Sequence, residues 1–112
     1  MAKGYWIAHI TITDPAAYKQ YVTAFKPAFK KFGARDIIRG AKESPGHAGT
    51  GRFQSKQGAP KDRHVVIEFD SYEQALACYD SPEYQAAAKF REQGAEVYLI
   101  IIEGCDPPVV HV

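Results

Sequence analysis

Two points in this chain turn a strand into a helix within two or three residues, and together they leave few folds open. The run "GYWIAHITIT", Gly4 to Thr13, is rich in aromatic and β-branched residues and reads as a first strand. "DP" follows it, with Asp14 suited to a helix N-cap and Pro15 to the first helical position. A third strand is predicted over Asp62 to Phe69. Behind it comes Ser71, with Gln74 three residues on, as in a capping box. Each helical stretch stops near a glycine, Gly33 or Gly94, and leads into another strand. Those strands are "ARDIIRGAK" (Ala34 to Lys42) and "EVYLIIIEG" (Glu96 to Gly104). The order is β-α-β-β-α-β. It predicts an α+β, ferredoxin-like sandwich with an antiparallel four-stranded sheet and both helices on one face. Strands one and three are expected to be central and parallel to each other, with strands two and four at the edges.

The first helix is predicted to reach about Phe32. Tyr18, Tyr21, Val22, Phe25, Phe29 and Phe32 recur at three- and four-residue steps and give it one apolar, mostly aromatic stripe. Pro27 predicts a kink or local break there. The second helical region reads as two segments, because Ser81-Pro82 repeats the pattern of a cap and first-turn proline. A bend is expected near Asp80, with the second segment running to about Gln93.

One domain covering residues 1–112 suits this length. Within it, Gly, Pro, Ser and Lys dominate residues 43–61, a Gly-rich insertion, and a loop longer than roughly 12–15 residues is unusual in a compact domain. Two readings stand: a plain flexible insertion, or a mobile lid over the open sheet face. "GHAGTG" (Gly46 to Gly51) is no phosphate loop, since it lacks the Lys-Ser/Thr ending and does not lead from a strand into a helix. His47 in that loop and His111 in the tail are expected to be solvated. The tail at 105–112 contains a proline pair and is expected to be extended.

Composition excludes some partners. At 46% hydrophobic and 24% charged, the chain matches a soluble globular protein. Net charge is +1 without a basic stripe, which argues against nucleic acid or an anionic membrane as partner. No apolar run approaches the roughly 20 residues of a membrane span, and the first residues do not read as a signal peptide. Cys78 and Cys105 have no ligand-like or redox-like spacing. Free thiols in a reducing cytoplasm are expected, so the predicted compartment is cytoplasmic.

Strand alternation sorts the candidate functional residues onto faces. Val65, Ile67 and Phe69 form an apolar set that should meet the helices, which leaves His64, Val66 and Glu68 opposite. On the first strand Trp6, Ala8, Ile10 and Ile12 should face the helices, and Tyr5, Ile7, His9 and Thr11 the other side. Arg35, Ile37 and Arg39 are expected on that polar side as well. Strand four is too uniformly apolar to sort, which suggests cover on both its faces. The open face thus collects Tyr5, His9, Arg39, His64 and Glu68. His9 or His64 is the candidate catalytic base, Glu68 its orienting carboxylate, and Tyr5 and Arg39 the candidate substrate-binding groups. The bland alternative is that Glu68 pairs across strands with Arg39 or a histidine and serves only the sheet or a dimer. His9, His64 and Glu68 also match a two-histidine, one-carboxylate metal set in residue type, but nothing fixes their distances. No metal and no cofactor is expected. A small apolar pocket between the first helix and the sheet is a further possibility, with Tyr18 and Tyr21 marking its mouth.

The segments "GYWIAHITITDPAAY", "KFGARDIIRG", "HVVIEFDSYEQALACYDSPEYQAA" and "IIIEG", in that order, resemble the bacterial domain of unknown function 1330 family of the dimeric α+β barrel group. The resemblance spans nearly the whole chain except 43–61 and the tail. After "IIRG", family members tend to have a short turn with an acidic residue, where this chain has its Gly-rich insertion. The resemblance implies a homodimer whose two sheets face each other, and no established reaction. Similar architectures serve cofactor-free monooxygenases, lactone isomerases and simple ligand-binding modules, and fold does not choose among them. Two functions are therefore expected. One is a small-molecule binding or interaction module; the other is a cofactor-free isomerase or monooxygenase acting on a small carbonyl or enol-type metabolite.

Overall fold

The computed structural model describes residues 1–40, 52–58 and 61–112. The elements follow in the order β1 (Gly4–Ile12), α1 (Pro15–Phe32), β2 (Arg35–Gly40), β3 (Arg63–Phe69), α2 (Tyr72–Asp80), α3 (Pro82–Gly94) and β4 (Ala95–Glu103). They build the α+β ferredoxin-like sandwich. One four-stranded sheet has the order β2-β3-β1-β4, and every neighbouring pair is antiparallel. The central pair expected to be parallel is not, since its register runs from Gly4 opposite Phe69 to Ile10 opposite Arg63. Chain direction explains this. α1 carries the chain back, so β2 runs with β1, and β3 pairs antiparallel with β2 and therefore opposes β1.

The helix ends are made by the residues that announced them. Asp14 Oδ1 accepts from the Ala16 and Ala17 amides at 3.1 and 3.4 Å. At the other end Gly33 takes φ 70°, a left-handed conformation that suits glycine, and the Ala34 amide returns to the Phe29 carbonyl at 3.0 Å. α1 runs unbroken through Pro27, which is exposed, while its neighbour Ala28 is fully buried. The expected break is absent because the packed stripe offsets the roughly 3 kcal/mol that an interior proline costs. The bend expected near Asp80 falls at Ser81. Its hydroxyl donates to the Cys78 carbonyl at 2.7 Å, closing α2, and accepts from the Tyr84 amide at 3.2 Å, opening α3.

The core lies between the helices and one face of the sheet. Trp6 sits at its centre among Phe29, Phe69, Tyr79 and Tyr84, with ring centroids 4.8–5.8 Å away. Its indole N–H donates to the Ala75 carbonyl at 2.9 Å, so the one polar atom of that ring is satisfied. Val97, Leu99 and Ile101 of β4 pack against this core. Their alternates do not meet it: Tyr98 is 69% exposed, Ile100 55% and Ile102 46%. Among the described residues β4 is therefore covered on one face only, contrary to expectation, because all helices lie on the same side of the sheet. Among the described residues no helix is long and apolar enough to cross a membrane. "GHAGTG", His47 and the predicted end of β2 at Ala41–Lys42 lie outside the described residues.

Candidate functional site

On the open face, sheet register sets His9 directly opposite His64. Their Nδ1 atoms are 2.8 Å apart, with ring planes inclined at 66°. A contact this short needs an N–H on one ring and a lone pair on the other. Phe53, from the segment 52–58, meets the His64 ring edge to face at 4.5 Å. Tyr98 stands opposite His9 on β4, and the Lys61 ammonium lies 4.7 Å from its ring centroid and 3.4 Å from Glu96. Together these groups line an open pocket of about 460 Å³, with Gln54 and Gln57 among its polar edges.

Glu68 takes no part in it. It stands opposite Tyr5, four residues along β3 from His64, which is about 13 Å at 3.3 Å per residue. There the Tyr5 hydroxyl donates to Oε2 at 3.0 Å and Arg35 Nε donates to Oε1 at 3.0 Å. Arg35 Nη1 also bridges to Asp70 at 3.0 Å. The guanidinium first, and the tyrosine hydroxyl after it, hold the Glu68 carboxyl below the usual range despite its partial burial. The same hydrogen bond raises the Tyr5 hydroxyl, since losing that proton would set two negative oxygens together. The expected histidine–carboxylate pair is thus replaced by two separate clusters: His9 with His64, and Glu68 with Tyr5 and Arg35.

Arg39 joins neither cluster. The β2–β3 register passes from Asp36 opposite Ile67 to Ile38 opposite Val66, leaving Ile37 over in a bulge. The extra residue reverses the alternation, so Arg39 lies opposite Val65 on the helix side and pairs with Asp36 at 3.2 Å. Arg35, before the bulge, keeps the open face and takes the place expected of Arg39. The two-histidine, one-carboxylate set is likewise dispersed, and among the described residues no group of three or more His, Cys, Asp or Glu is placed to hold a metal ion.

Sequence reasoning passed over several residues. Phe53 carried no signal in a Gly-rich segment, and Tyr98 was lost in a strand without alternation. Arg63 was legible, since it shares parity with Val65, Ile67 and Phe69 and so lies on the helix side. There a second, smaller cavity of about 70 Å³ separates α1 from the sheet. Tyr18 and Tyr21 are among the residues that line it. The Tyr21 hydroxyl, though, is engaged with that of Tyr84 at 2.8 Å, which in turn accepts from Arg91 at 2.8 Å. Cys78 offers no nucleophile: burial first, and Glu83 after it, push its thiol up to about 12.

The fold recurs in known structures. Over 93% of the chain and 83% of its counterpart, the fold matches a protein of unknown function from Rhodopseudomonas palustris, with 17% identity and a TM-score of 0.68. A dimeric ferredoxin-like protein of unknown function from Thermobifida fusca matches over 91% of each chain, with 17% identity and a TM-score of 0.52. SnoaB, a cofactor-independent oxygenase from Streptomyces nogalater, matches over 91% of this chain and 92% of its own, with 8% identity and a TM-score of 0.57. At such identities these likenesses speak for the fold alone. No curated protein matches the chain. A family model does, over residues 3–105, nearly the whole length: the chain belongs to the domain of unknown function family DUF1330.

Proposed function

We propose that this protein is a homodimeric small-molecule binding module whose ligand site is the pocket floored by His9 and His64. The observation that carries the reading is the joined imidazole pair at the base of a 460 Å³ pocket, with an aromatic ring on two sides. The pair presents hydrogen-bonding nitrogens, and Lys61, paired with Glu96, adds an ammonium group to the lining. Phe53 and Tyr98 offer flat apolar walls. That combination suits a small, planar, anionic or enol-type molecule. The sheet face beyond the pocket is apolar at Ile38, Ile100 and Ile102, and a second copy of the chain is the occupant we assign to it, in keeping with relatives of the same fold described as dimeric. The single domain over 1–112 and a cytoplasmic setting, congenial to the free thiols of Cys78 and Cys105, complete the reading.

The enzymatic alternative is weaker on one specific count. It needed Glu68 to orient and tune a histidine base, and that carboxylate is committed to Arg35 and Tyr5. A proton-abstracting site would have to work with the imidazole pair alone, and Arg39 is not on that face to anchor an anion.

A thermal-shift screen of small organic acids and enols tests the binding reading. A ligand at one hundred times its dissociation constant stabilises by about 2.7 kcal/mol, an easily measured shift. His64→Ala and His9→Ala should each abolish the shift of any hit. Hits that shift both variants as they shift the wild type would remove the site from this pocket.

A further inference from the structure

We infer that the cavity between α1 and the sheet is a second, separate binding site, one for a small organic carboxylate entering apolar end first. The cavity lies on the opposite side of the sheet from His9 and His64. Ala8 and Ile10 form its floor, and Tyr18, Tyr21 and Phe25 form its wall. The small side chain of Ala8 leaves the room that a larger residue on this face would fill.

Three charged side chains complete the lining: Asp36, Arg39 and Arg63. Asp36 is taken by Arg39 at 3.2 Å, which leaves the Arg63 cation in excess. The Arg63 guanidinium lies over the Tyr18 ring, 5.5 Å from its centroid. Its Nε is buried and has no hydrogen-bond partner among the described residues. A buried, cationic N–H left unsatisfied is costly, and native structures keep few of them. Arg63 is among the residues that line the cavity, and a guanidinium edge matches the two oxygens of a carboxylate.

Volume sets the size of the tail. About 70 Å³ is roughly twice the share of one water in the liquid and well below the 150 Å³ that accepts a benzene ring. The ligand class is therefore a short aliphatic acid, or a larger acid that inserts only such an end.

Sodium butyrate is the probe, with butyramide as its uncharged counterpart. Titrating ¹⁵N-labelled protein with butyrate should give saturable amide shifts, in the millimolar range, at Ala8, Tyr18 and Val65. Butyramide should give none. Arg63→Met, which keeps an apolar stem and loses the cation, should weaken butyrate at least about tenfold. Ala8→Val, which narrows the cavity and keeps every charge, should do the same, and it provides the test if Arg63→Met does not fold. His64→Ala should leave butyrate binding unchanged, so failure here and failure of the open-face site are distinguishable. Equal binding of butyrate and butyramide, absence of saturable shifts, or wild-type affinity in both cavity variants would overturn the proposal.

Discussion

Glu68 shows how much one side chain's partners decide. On the sequence it is a carboxylate near two histidines; in the fold it is an ion-paired and hydrogen-bonded anchor for Tyr5 and Arg35, with its side chain 17% exposed. Its folded-state pKa is lowered, chiefly by Arg35. The sign follows: its stabilisation is present above the unfolded carboxylate range and is lost as pH falls through the lowered folded value. Arg35 is 41% exposed, so solvent screens part of the attraction. Glu68→Gln should therefore cost about 1 kcal/mol in urea melts at neutral pH. The gap from wild type should close on acidification below the folded pKa. A gap that stays constant with pH would mean the ion pair is not formed in solution. Parity along β1 and β3 was enough to read that His9, His64, Tyr5 and Glu68 share a face. Their division into two clusters was not legible, because parity assigns a side but not a position along the strand.

At the scale of elements, caps and turns wrote themselves plainly into the chain. Asp14-Pro15, Gly33, Ser71 and Ser81-Pro82 each act locally, through hydrogen bonds to amides or carbonyls a few residues away, so local sequence suffices to find them. The bulge at Ile37 does not, since "RDIIRG" has no glycine or proline to mark it, and it arises from pairing with β3. That one misplaced residue moved Arg39 from the candidate site to the helix side. Gly94 shows a third case, a stop signal with a further role. It is buried beneath the start of α1, where its carbonyl accepts from the Thr13 and Asp14 amides at 2.8 and 3.1 Å. A Cβ there would lie 2.7 Å from the Tyr18 nitrogen and 3.0 Å from the Asp14 carbonyl oxygen, backbone atoms that cannot rotate away. Gly94→Ala, favourable by helix propensity alone, should instead destabilise by about 1–3 kcal/mol through overpacking. Chemical denaturation measures this, and a variant as stable as wild type would show that α1 and α3 can separate without loss.

Among the described residues the molecule is a half-covered sheet. Its layer order follows from the alternation of strand and helix signals, while the direction of the central pair follows only when the chain path through α1 and β2 is traced. One face is closed by three helices. The other presents Ile38, Tyr98, Ile100 and Ile102, the last three on alternate residues of β4. A stable interface withdraws about 800 Å² from each partner, roughly a tenth of the 7586 Å² that one chain exposes, and a face of this composition is the natural source of it. Ile100 tests the proposed dimer cleanly. It is 55% exposed and stands opposite Ile7 near the middle of the β1–β4 pairing, so a lysine there meets solvent in the monomer and creates no buried charge. In a face-to-face dimer the same lysine would be desolvated against apolar partners and, by symmetry, would appear on both copies. Light scattering should find the wild type dimeric at micromolar concentration and Ile100→Lys monomeric, with unchanged far-ultraviolet circular dichroism. A monomeric wild type would refute the dimer; an Ile100→Lys variant that still dimerises would move the interface off this face.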